Sequence, residues 1–425
     1  MRGKTIQTDY LSRVEGEAGL FARILADRVE AQFRVFEAPR FFESFLKDRS
    51  HQDAIDFTAR ICGICPVAYQ MSAVHAIEKI FSVGVEQPIK QLRRLFYAGE
   101  WIESHALHVY LLHGPDFYGA ASAWEKKSYL PYARLGLYFK KLGNGLMAII
   151  GGRPVHPVSV KAGGFFKLPG KRELIAQMGE LEDAYEKSIQ AISWAAGLPF
   201  QPVPLDTEYV ALRQPGEYPM NEGRVVSNLG LDVSMGSFLD GIRQNQVGHS
   251  TALHWEIQRD GKGENYLAGP LARINLNFDE LPEEIKDAVK SAGVQIPIAN
   301  IEMGIIARCI EIAYAFSEAI RIIKNYEGPA MAAAGAQVRP GTATWITEAP
   351  RGILIHRYTL DEAGNVKDCL IVPPTSQNTG HIERTLLNHL KANSGKPAEA
   401  LKKECERIIR GYDPCISCSV HVVKM

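Results

Sequence analysis

Two C-x-x-C pairs, Cys62/Cys65 and Cys415/Cys418, lie near opposite ends of a 425-residue chain, and Cys65 and Cys415 are 350 positions apart. If the two pairs share one site, the fold must bring the two ends of the chain together. No other feature of the sequence constrains the fold as strongly. The remaining three of the seven cysteines are isolated, and an odd number spread thinly over a long chain is not typical of a disulfide framework.

Three interpretations of the pairs are open. A zinc ribbon uses two C-x-x-C knuckles about 15–20 residues apart, far closer than these. A thioredoxin-like redox motif needs one pair beside a βαβ pattern, which neither pair has. A single site of four thiolates joins the two ends of the chain, and thiolates select soft or borderline metals such as nickel, iron and zinc.

The residues next to each pair predict how its sulfurs are presented. In RICGICP, Pro66 suits the first position of a helix, which puts Cys65 at or near the N-cap. The partial positive charge of a helix N-terminus favours a thiolate there. In DPCISCSVH, Pro414 disfavours helical geometry at Asp413, so the second pair follows a helix and does not continue it.

Composition excludes several classes of protein. Lys plus Arg and Asp plus Glu are both 48, so the chain lacks the basic excess of a nucleic-acid binder. Hydrophobic residues at 46% and charged residues at 23% are typical of a soluble globular protein. No apolar run approaches the ~18 residues of a membrane span, and the N-terminus has no apolar signal core, so no membrane insertion is expected. The glycine-containing segments lack the G-x-G-x-x-G context of a nucleotide site, so no nicotinamide site is expected in this chain.

Periodicity predicts a mainly helical α+β fold. Alternation of apolar and polar residues predicts a β-hairpin within residues 19–37 and a strand pair at 352–360 and 365–372. Short segments punctuated by glycine and proline predict a β-containing insertion at about 200–270. No repeat or linker divides the chain, so residues 1–425 are predicted to form a single domain. Apolar spacing of three and four predicts helices at Phe41–Lys47, Asp53–Ala59, Pro66–Ser82, Pro88–Leu112, Ala133–Ile150, Lys171–Ala196, Ile301–Asn325, His381–Ala392 and Pro397–Gly411.

The motifs R-x-C-G-x-C at Arg60–Cys65 and D-P-C-x-x-C-x-x-H at Asp413–His421 resemble those of the large, catalytic subunit of nickel–iron hydrogenases. Their details look most like the cytoplasmic NAD(P)-linked, sulfhydrogenase-type branch of that family. The resemblance implies a central helical bundle with peripheral β-hairpins. It also implies an enzyme that reversibly oxidises dihydrogen to protons and electrons.

The resemblance further implies a nickel–iron centre in which all four cysteines bind nickel. Cys62 and Cys415 would be terminal ligands, whereas Cys65 and Cys418 would also bridge to an iron that carries carbon monoxide and cyanide. Dihydrogen would be split heterolytically, with the proton going to Cys415. Glu15, in RVEGE, would relay that proton, since a partly buried carboxyl with a raised pKa can pass on a proton near neutrality.

Other site residues follow from the same resemblance. Glu43, in RFFESFL, and His421, after the second pair, would hold a magnesium-like ion, Mg²⁺ or Fe²⁺. In TEAPRGILIH, Arg351 would direct a fixed positive charge at the cyanide ligands and the hydrogen-binding face, and Pro350 would form a wall of the pocket. Thr375, in VPPTSQN, would donate a hydrogen bond to a cyanide.

The sequence departs from the family pattern at several positions near the site. Many members have histidine where Tyr69 stands, beside a bridging sulfur; a tyrosine can donate one hydrogen bond but carries no positive charge. Many respiratory members have aspartate at the position of Ser104, and family members commonly have histidine at that of Glu17. Asp413, another carboxylate of the pocket, is retained. We therefore expect altered pocket polarity with intact metal ligation.

Partners are implied as well. The chain has no further C-x-x-C set for iron–sulfur clusters, so electrons would leave through an iron–sulfur small subunit, then ferredoxin-like subunits and a flavin (FAD) diaphorase that reaches NADP or NAD. The branch can also reduce sulfur or polysulfide. The alternatives are the large subunit of a deazaflavin-reducing hydrogenase and a non-catalytic scaffold subunit related to respiratory complexes, whose members lack the cysteine pairs.

The resemblance also implies a maturation pathway and a cellular location. Metal-insertion factors would load the centre, and an endopeptidase would then remove the segment after His421, here Val422–Met425. On the subgroup resemblance, the expected location is the cytoplasm.

Overall fold

Helices dominate the computed structural model, which describes residues 3–420. Helices contain 46% of the residues and strands 20%, which confirms the predicted α+β class. In this part of the chain, no helix has the length and apolarity needed to span a bilayer. The α-helices are α1 (Phe42–Leu46), α2 (His51–Thr58), α3 (Pro66–Phe81), α4 (Gln87–Ala106), α5 (Gly114–Phe117), α6 (Leu130–Gly151), α7 (Lys171–Ile175), α8 (Met178–Ala196), α9 (Met235–Asp240), α10 (Pro270–Asn277), α11 (Glu283–Ser291), α12 (Gly304–Lys324), α13 (Pro374–Ala392), α14 (Ala398–Tyr412) and α15 (Ile416–Ser419).

The strands form small sheets, with the orders β1-β2-β3, β4-β5, β12-β6-β7-β8, β11-β10-β9 and β13-β14-β15. Pairing is antiparallel except between β12 and β6. The strands are β1 (Lys4–Thr8), β2 (Ala18–Ile24), β3 (Val29–Val35), β4 (Val160–Lys161), β5 (Gly164–Phe165), β6 (Glu208–Arg213), β7 (Arg224–Ser227), β8 (Asp232–Val233), β9 (Ile242–Asn245), β10 (His254–Arg259), β11 (Lys262–Glu264), β12 (Tyr266–Ala268), β13 (Gly341–Ala349), β14 (Gly352–Leu360) and β15 (Val366–Val372).

The centre of the helical core is α4, which packs against α6 and α12, while α12 also packs against α8. Every residue of α4 from Leu92 to Ala106 is buried. Two glycines allow α4 and α6 to approach closely: a Cβ on Gly143 would lie 2.5 Å from the carbonyl oxygen of Gly99. Because α4 is buried on all sides, its charged side chains must find partners inside the protein.

One such partner set is a buried ionic network. Arg273 donates from Nε and Nη2 to the Glu311 carboxylate, each at 2.7 Å, and from Nη1 to Glu348 Oε2 at 2.9 Å. His105 Nε2 lies 2.9 Å from Glu311 Oε2, and all four side chains are 0% exposed. Burial alone would raise the pKa of Glu311, but the Arg273 guanidinium lowers it to about 2. The network ties α4, α10, α12 and β13 together.

The two ends of the chain lie side by side. Strand β1 packs against α14, and Thr8 Oγ1 donates to Glu406 Oε1 at 2.7 Å. Strand β3 packs against α13, and the backbone N–H of Phe33 donates to Glu383 Oε1 at 2.9 Å. The fold therefore meets the condition set by the spacing of the cysteine pairs.

All nine predicted helical segments are helical, but some boundaries differ. Helix α13 begins at Pro374 and not at His381. Apolar periodicity does not predict its first two turns, because the polar residues there are buried and hydrogen-bonded. The segment Lys171–Ala196 is divided between α7 and α8, where the Gln177 N–H donates to Leu174 O in a tightened turn.

Several elements are not predicted from the sequence, among them strands β1 and β13 and helices α10 and α11. Strand β1 adds to the predicted N-terminal hairpin, and β13 adds to the predicted pair β14–β15. In β13 the residues Thr344, Thr347 and Glu348 are buried, so the apolar alternation is broken. Helices α10 and α11 follow the β-containing region. Whether residues 200–270 are an insertion within one domain stays a prediction.

We predict that Arg273→Met destabilises the fold by on the order of 3–5 kcal/mol, because Glu311 and Glu348 would be left as buried, uncompensated carboxylates. Denaturant unfolding of the variant and the parent protein measures this change. The matched control is Lys187→Met, which removes an exposed pair with Asp183 on α8 and should cost less than about 1 kcal/mol. Equal effects of the two substitutions would contradict the prediction.

Candidate metal centre

The four cysteines of the two C-x-x-C pairs meet in one buried cluster. Cys62 Sγ lies 3.5 Å from Cys415 Sγ, and Cys65 Sγ lies 3.6 Å from Cys418 Sγ. The four sulfurs all lie within 4.8 Å of one another, no residue of the four is more than 4% exposed, and none forms a disulfide. Each sulfur from one end of the chain faces a sulfur from the other, as the four-thiolate interpretation predicts.

The first pair is held at the start of helix α3. Cys65 is the N-cap residue and Pro66 is the first helical residue, as predicted. Cys62 Sγ accepts hydrogen bonds from the backbone N–H groups of Ile64 and Cys65 at 3.3 Å and 3.4 Å. Backbone donors and the positive end of the helix both favour a thiolate at this position.

Glu100 supplies the cap that Cys65 does not. The Cys65 side chain makes no capping hydrogen bond, whereas the Glu100 carboxylate, reaching across from α4, accepts from the N–H groups of Val67 at 2.5 Å and Ala68 at 3.1 Å. Burial raises the pKa of Glu100 well above its usual value. Since Glu100 satisfies the helix start, the Cys65 sulfur is left for another role.

The second pair begins where α14 ends. Asp413 adopts a left-handed conformation, φ 56° and ψ 57°, so the chain leaves the helix before the first cysteine, as predicted. The Cys415 N–H donates to Thr375 Oγ1 at 3.0 Å, and the Ile416 N–H donates to the carbonyl oxygen of Glu15 at 3.0 Å. The second pair is therefore positioned by α13 on one side and by the N-terminal segment on the other.

The sulfurs influence one another's ionisation. Hydrogen bonding to Cys415 lowers the pKa of Cys62 well below its usual value, whereas burial raises the pKa of both Cys415 and Cys418. The Cys62 thiol therefore ionises readily, whereas the thiols of Cys415 and Cys418 resist ionisation. A bound metal ion removes this resistance, because a coordinating thiol is deprotonated outright. Four convergent sulfurs fit soft or borderline ions such as nickel and iron.

Arg351 lies at the tip of the β13–β14 hairpin, next to Pro350. It is 2% exposed, its Nε donates to the carbonyl oxygen of Asp413 at 2.8 Å, and its Nη2 donates to Asp413 Oδ1 at 3.1 Å. Burial alone would lower the pKa of Arg351, but Asp413 and then the Cys415 thiolate raise it well above its usual value. Within residues 3–420, Nη1 has no hydrogen-bond partner.

Glu15 lies against the second cysteine pair. Its Oε2 accepts from the Ser417 N–H at 3.1 Å, and its backbone forms a parallel bridge with Cys415. Gly16, with φ +85°, permits this approach, since a Cβ there would lie 2.7 Å from Ile416 Cβ. Burial raises the pKa of Glu15.

Two predicted neighbours of the centre differ in their surroundings. Tyr69 is 1% exposed, and burial followed by the negative charge of Cys418 raises its pKa well above its usual value, so it keeps its proton. Ser104 is fully buried in α4, and among the residues that the structure describes its hydroxyl has no hydrogen-bond partner.

The residues predicted for a magnesium-like ion are only partly described. Glu43 is 9% exposed in α1, and its Oε1 accepts from the Ile371 N–H of β15 at 2.7 Å. His421 and the tail Val422–Met425 lie outside the described residues. The assignment of Glu43 and His421 to an ion, and of the tail to processing, stay predictions.

Arg40 is a residue of the centre that sequence reasoning missed. Its Nη2 donates to the carbonyl oxygen of Ile61 at 2.7 Å and also to that of Ser417, and its backbone N–H donates to Val420 O at 3.1 Å. Arg40 thus connects the segments of both cysteine pairs. No motif in the sequence marks it, because its partners are backbone carbonyls.

The comparison with known families agrees with this geometry. The model of the family described as nickel-dependent hydrogenase matches residues 40–135 and 254–421, well over half of the chain, and each matched region contains one cysteine pair. The chain belongs to the nickel-dependent hydrogenase family. It is 32% identical to the alpha subunit of sulfhydrogenase 1 from Pyrococcus furiosus, over 99% of this chain and 98% of that protein.

Other relatives extend the similarity. The chain is 27% identical to a subunit of the F420-non-reducing hydrogenase vhc from Methanococcus voltae, over 93% of this chain and 90% of that protein. The fold resembles that of an NAD+-reducing nickel–iron hydrogenase in the H2-reduced state, with a TM-score of 0.86 at 23% identity over 98% and 99% of the two chains. The fold also resembles that of a Ni-Fe-Se hydrogenase from D. vulgaris Hildenborough, with a TM-score of 0.80 at 20% identity over 99% of this chain and 100% of that chain.

The chain is therefore the catalytic large subunit of a nickel–iron hydrogenase, an oxidoreductase that acts on H2. The predicted hydrogenase large-subunit fold is confirmed. The scaffold alternative is not supported, because the four cysteines are present and come together.

We predict that Cys65→Ser lowers the nickel and iron content of the purified hydrogenase at least about tenfold, because a neutral hydroxyl cannot replace a thiolate as a ligand. Elemental analysis of the variant measures this. Cys405→Ser is the matched control, since Cys405 is a free thiol, fully buried in α14 and outside the cluster. A Cys65 variant with the parent's nickel content would contradict the prediction.

Proposed function

We propose that the hydrogenase is the hydrogen-splitting subunit of a cytoplasmic, NAD(P)-linked complex. The observation that carries the proposal is the buried four-sulfur cluster with Glu15 and Arg351 beside it. Full-length similarity to sulfhydrogenase alpha subunits supports the choice of branch. The whole chain, residues 1–425, acts in this proposal as one catalytic domain.

The sulfur arrangement suits two roles. Cys62 and Cys415, whose sulfurs are paired at 3.5 Å, would be the terminal nickel ligands. Cys65 and Cys418, paired at 3.6 Å, would bridge nickel and iron. The pairing supports this division because each role falls to two adjacent sulfurs.

The surroundings suit an iron that carries anionic ligands. Arg351 Nη1 is a buried donor without a partner among residues 3–420, and such a donor is costly unless it is satisfied. A cyanide ligand would satisfy it, with carbon monoxide as the remaining iron ligand. The Thr375 hydroxyl accepts from the Cys415 N–H through its oxygen, which leaves its own proton to donate to a second cyanide. Pro350 stands beside Arg351 as a wall of the pocket.

When bound, the nickel–iron centre supplies the heterolytic cleavage of dihydrogen. Cys415 Sγ would take the proton, and Glu15 would receive it from that sulfur. The contact of Glu15 with the segment of Cys415 supports this route. The raised pKa of Glu15 supports it too, because it shifts the pKa of this carboxyl towards neutral pH. Arg351, fixed by Asp413, would hold a positive charge beside the reacting atoms.

Two further parts of the proposal concern metals and maturation. Glu43 and His421 would hold a Mg²⁺ or Fe²⁺ ion, for which the buried Glu43 carboxylate is a suitable oxygen ligand. After metal-insertion factors load the centre, an endopeptidase would remove Val422–Met425.

The electrons would leave through other subunits. An iron–sulfur small subunit would accept them and pass them through ferredoxin-like subunits to a flavin diaphorase that reduces NADP or NAD, and sulfur or polysulfide reduction would be a further activity. The name sulfhydrogenase, given to the P. furiosus relatives, supports this last activity. Several archaeal relatives are named F420-non-reducing, which gives the deazaflavin alternative no support.

The electron acceptor is tested with the complex isolated from its native host under H2. We expect reduction of NADP or NAD, together with infrared bands from carbon monoxide and cyanide on the enzyme. Reduction of a deazaflavin without reduction of either nicotinamide would favour the alternative acceptor. A complex without these infrared bands would contradict the proposed iron ligands.

We predict that Glu15→Gln lowers H2 oxidation by on the order of 100-fold or more while nickel and iron content is unchanged, because an amide cannot accept and release the proton. H2-dependent dye reduction and elemental analysis measure the two effects. Glu17→Gln is the matched control in the same loop: Glu17 is exposed, and its side chain is not required by the route. Full activity of the Glu15 variant would rule out the relay.

A further inference from the structure

A second group of metal-ligating side chains lies outside the four-cysteine cluster. His249 is in the loop before β10, His254 is the first residue of β10, and Glu383 is in α13. One ligand atom from each lies within 4.8 Å of the others. His249 Nε2 is 2.6 Å from Glu383 Oε1, so two of the three already touch.

His254 is the unexplained member of this group. It is 4% exposed, and its buried Nε2 has no hydrogen-bond partner among the described residues. A buried ring nitrogen of this kind is unfavourable unless something satisfies it. Burial lowers the pKa of His254 to about 4, so the imidazole is neutral near pH 7 and keeps a lone pair that can bind a cation.

The three side chains are held in place by contacts that do not use the imidazoles. Glu383 Oε1 also accepts from the Phe33 N–H of β3 at 2.9 Å. The loop that carries His249 is joined to β3, because the Thr251 N–H donates to Val35 O at 2.8 Å. The ligands therefore come from separate segments that the fold already fixes next to one another, as a preformed metal site requires.

We propose that His249, His254 and Glu383 form a zinc site. Two imidazoles and one carboxylate are a donor set that zinc favours, and three protein ligands leave a fourth position for water. His249 is partly exposed, with a side chain 22% accessible, so the site is open to solvent on one side.

Such an ion would join the loop before β10, the start of β10 and α13. Helix α13 also carries Thr375, whose hydroxyl holds the Cys415 N–H. The zinc would therefore stabilise the helix that positions the second cysteine pair, without touching the hydrogen-splitting centre.

The test is a zinc titration of the nickel-loaded hydrogenase after removal of loosely bound metal with a chelator. We expect one zinc per chain by calorimetry, and His254→Gln should weaken binding by about 100-fold or more. Cobalt(II) should bind with visible ligand-field bands but without sulfur-to-metal charge-transfer bands, which would mark binding to cysteines.

The matched control is His389→Gln. His389 Nε2 also pairs with a carboxylate, Glu404 Oε2, at 2.8 Å, but this pair has no third ligand among residues 3–420, so zinc affinity should not change. Thermal unfolding without zinc checks that His254→Gln still folds, and Glu383→Gln provides a second ligand variant. Zinc binding at parental affinity in folded ligand variants would overturn the proposal. So would tighter binding of ferrous ion than of zinc, or no zinc binding to the parent.

Discussion

The meeting of four cysteine sulfurs from the two ends of the chain is the constraint on which the rest of the structure depends. Two thiolates 3.5 Å apart repel by about 5 kcal/mol at an effective dielectric of 20. Four thiolates therefore require a neutralising cation, and without one, burial favours the protonated forms of Cys415 and Cys418.

The surrounding structure supplies part of this neutralisation. Arg351 places a buried guanidinium beside the sulfurs, and Arg40 joins the carbonyl oxygens of both cysteine segments. The start of α3 adds backbone N–H donors to Cys62. Because Glu100 caps that helix, the Cys65 sulfur does not have to. The groups that hold the sulfurs come from four different parts of the chain, which explains why the site needs the whole fold.

The position of Arg351 depends in turn on the ionic network behind it. Arg273 donates to the carbonyl oxygens of Ala349 and Pro350 at 2.8 Å and 3.0 Å, as well as to Glu311 and Glu348. These bonds fix the turn that carries Arg351. The β13–β14 hairpin thus connects the helical core to the four-cysteine cluster. The contacts of Arg273 that stabilise the fold also position Arg351.

Much of the centre could be predicted from the sequence because its ligands are residue types with few other uses. The effects of the paired cysteines, of Pro66 at the start of α3 and of Pro414 after α14 are local. The adjacent residues in the sequence are therefore enough to predict them. Arg40 and Glu100 could not be predicted, because they act through backbone groups distant in the sequence. Strand β13 and the first turns of α13 were missed for a related reason: their polar residues are buried, and apolar periodicity fails there.

Nickel K-edge X-ray absorption of the metal-loaded hydrogenase tests the central claim most directly. A single four-thiolate site predicts a nickel shell made of sulfur, with one scatterer for each cysteine of the cluster and an iron neighbour beyond it. A shell dominated by nitrogen or oxygen, or a shell with sulfur from only one of the two pairs, would contradict the account.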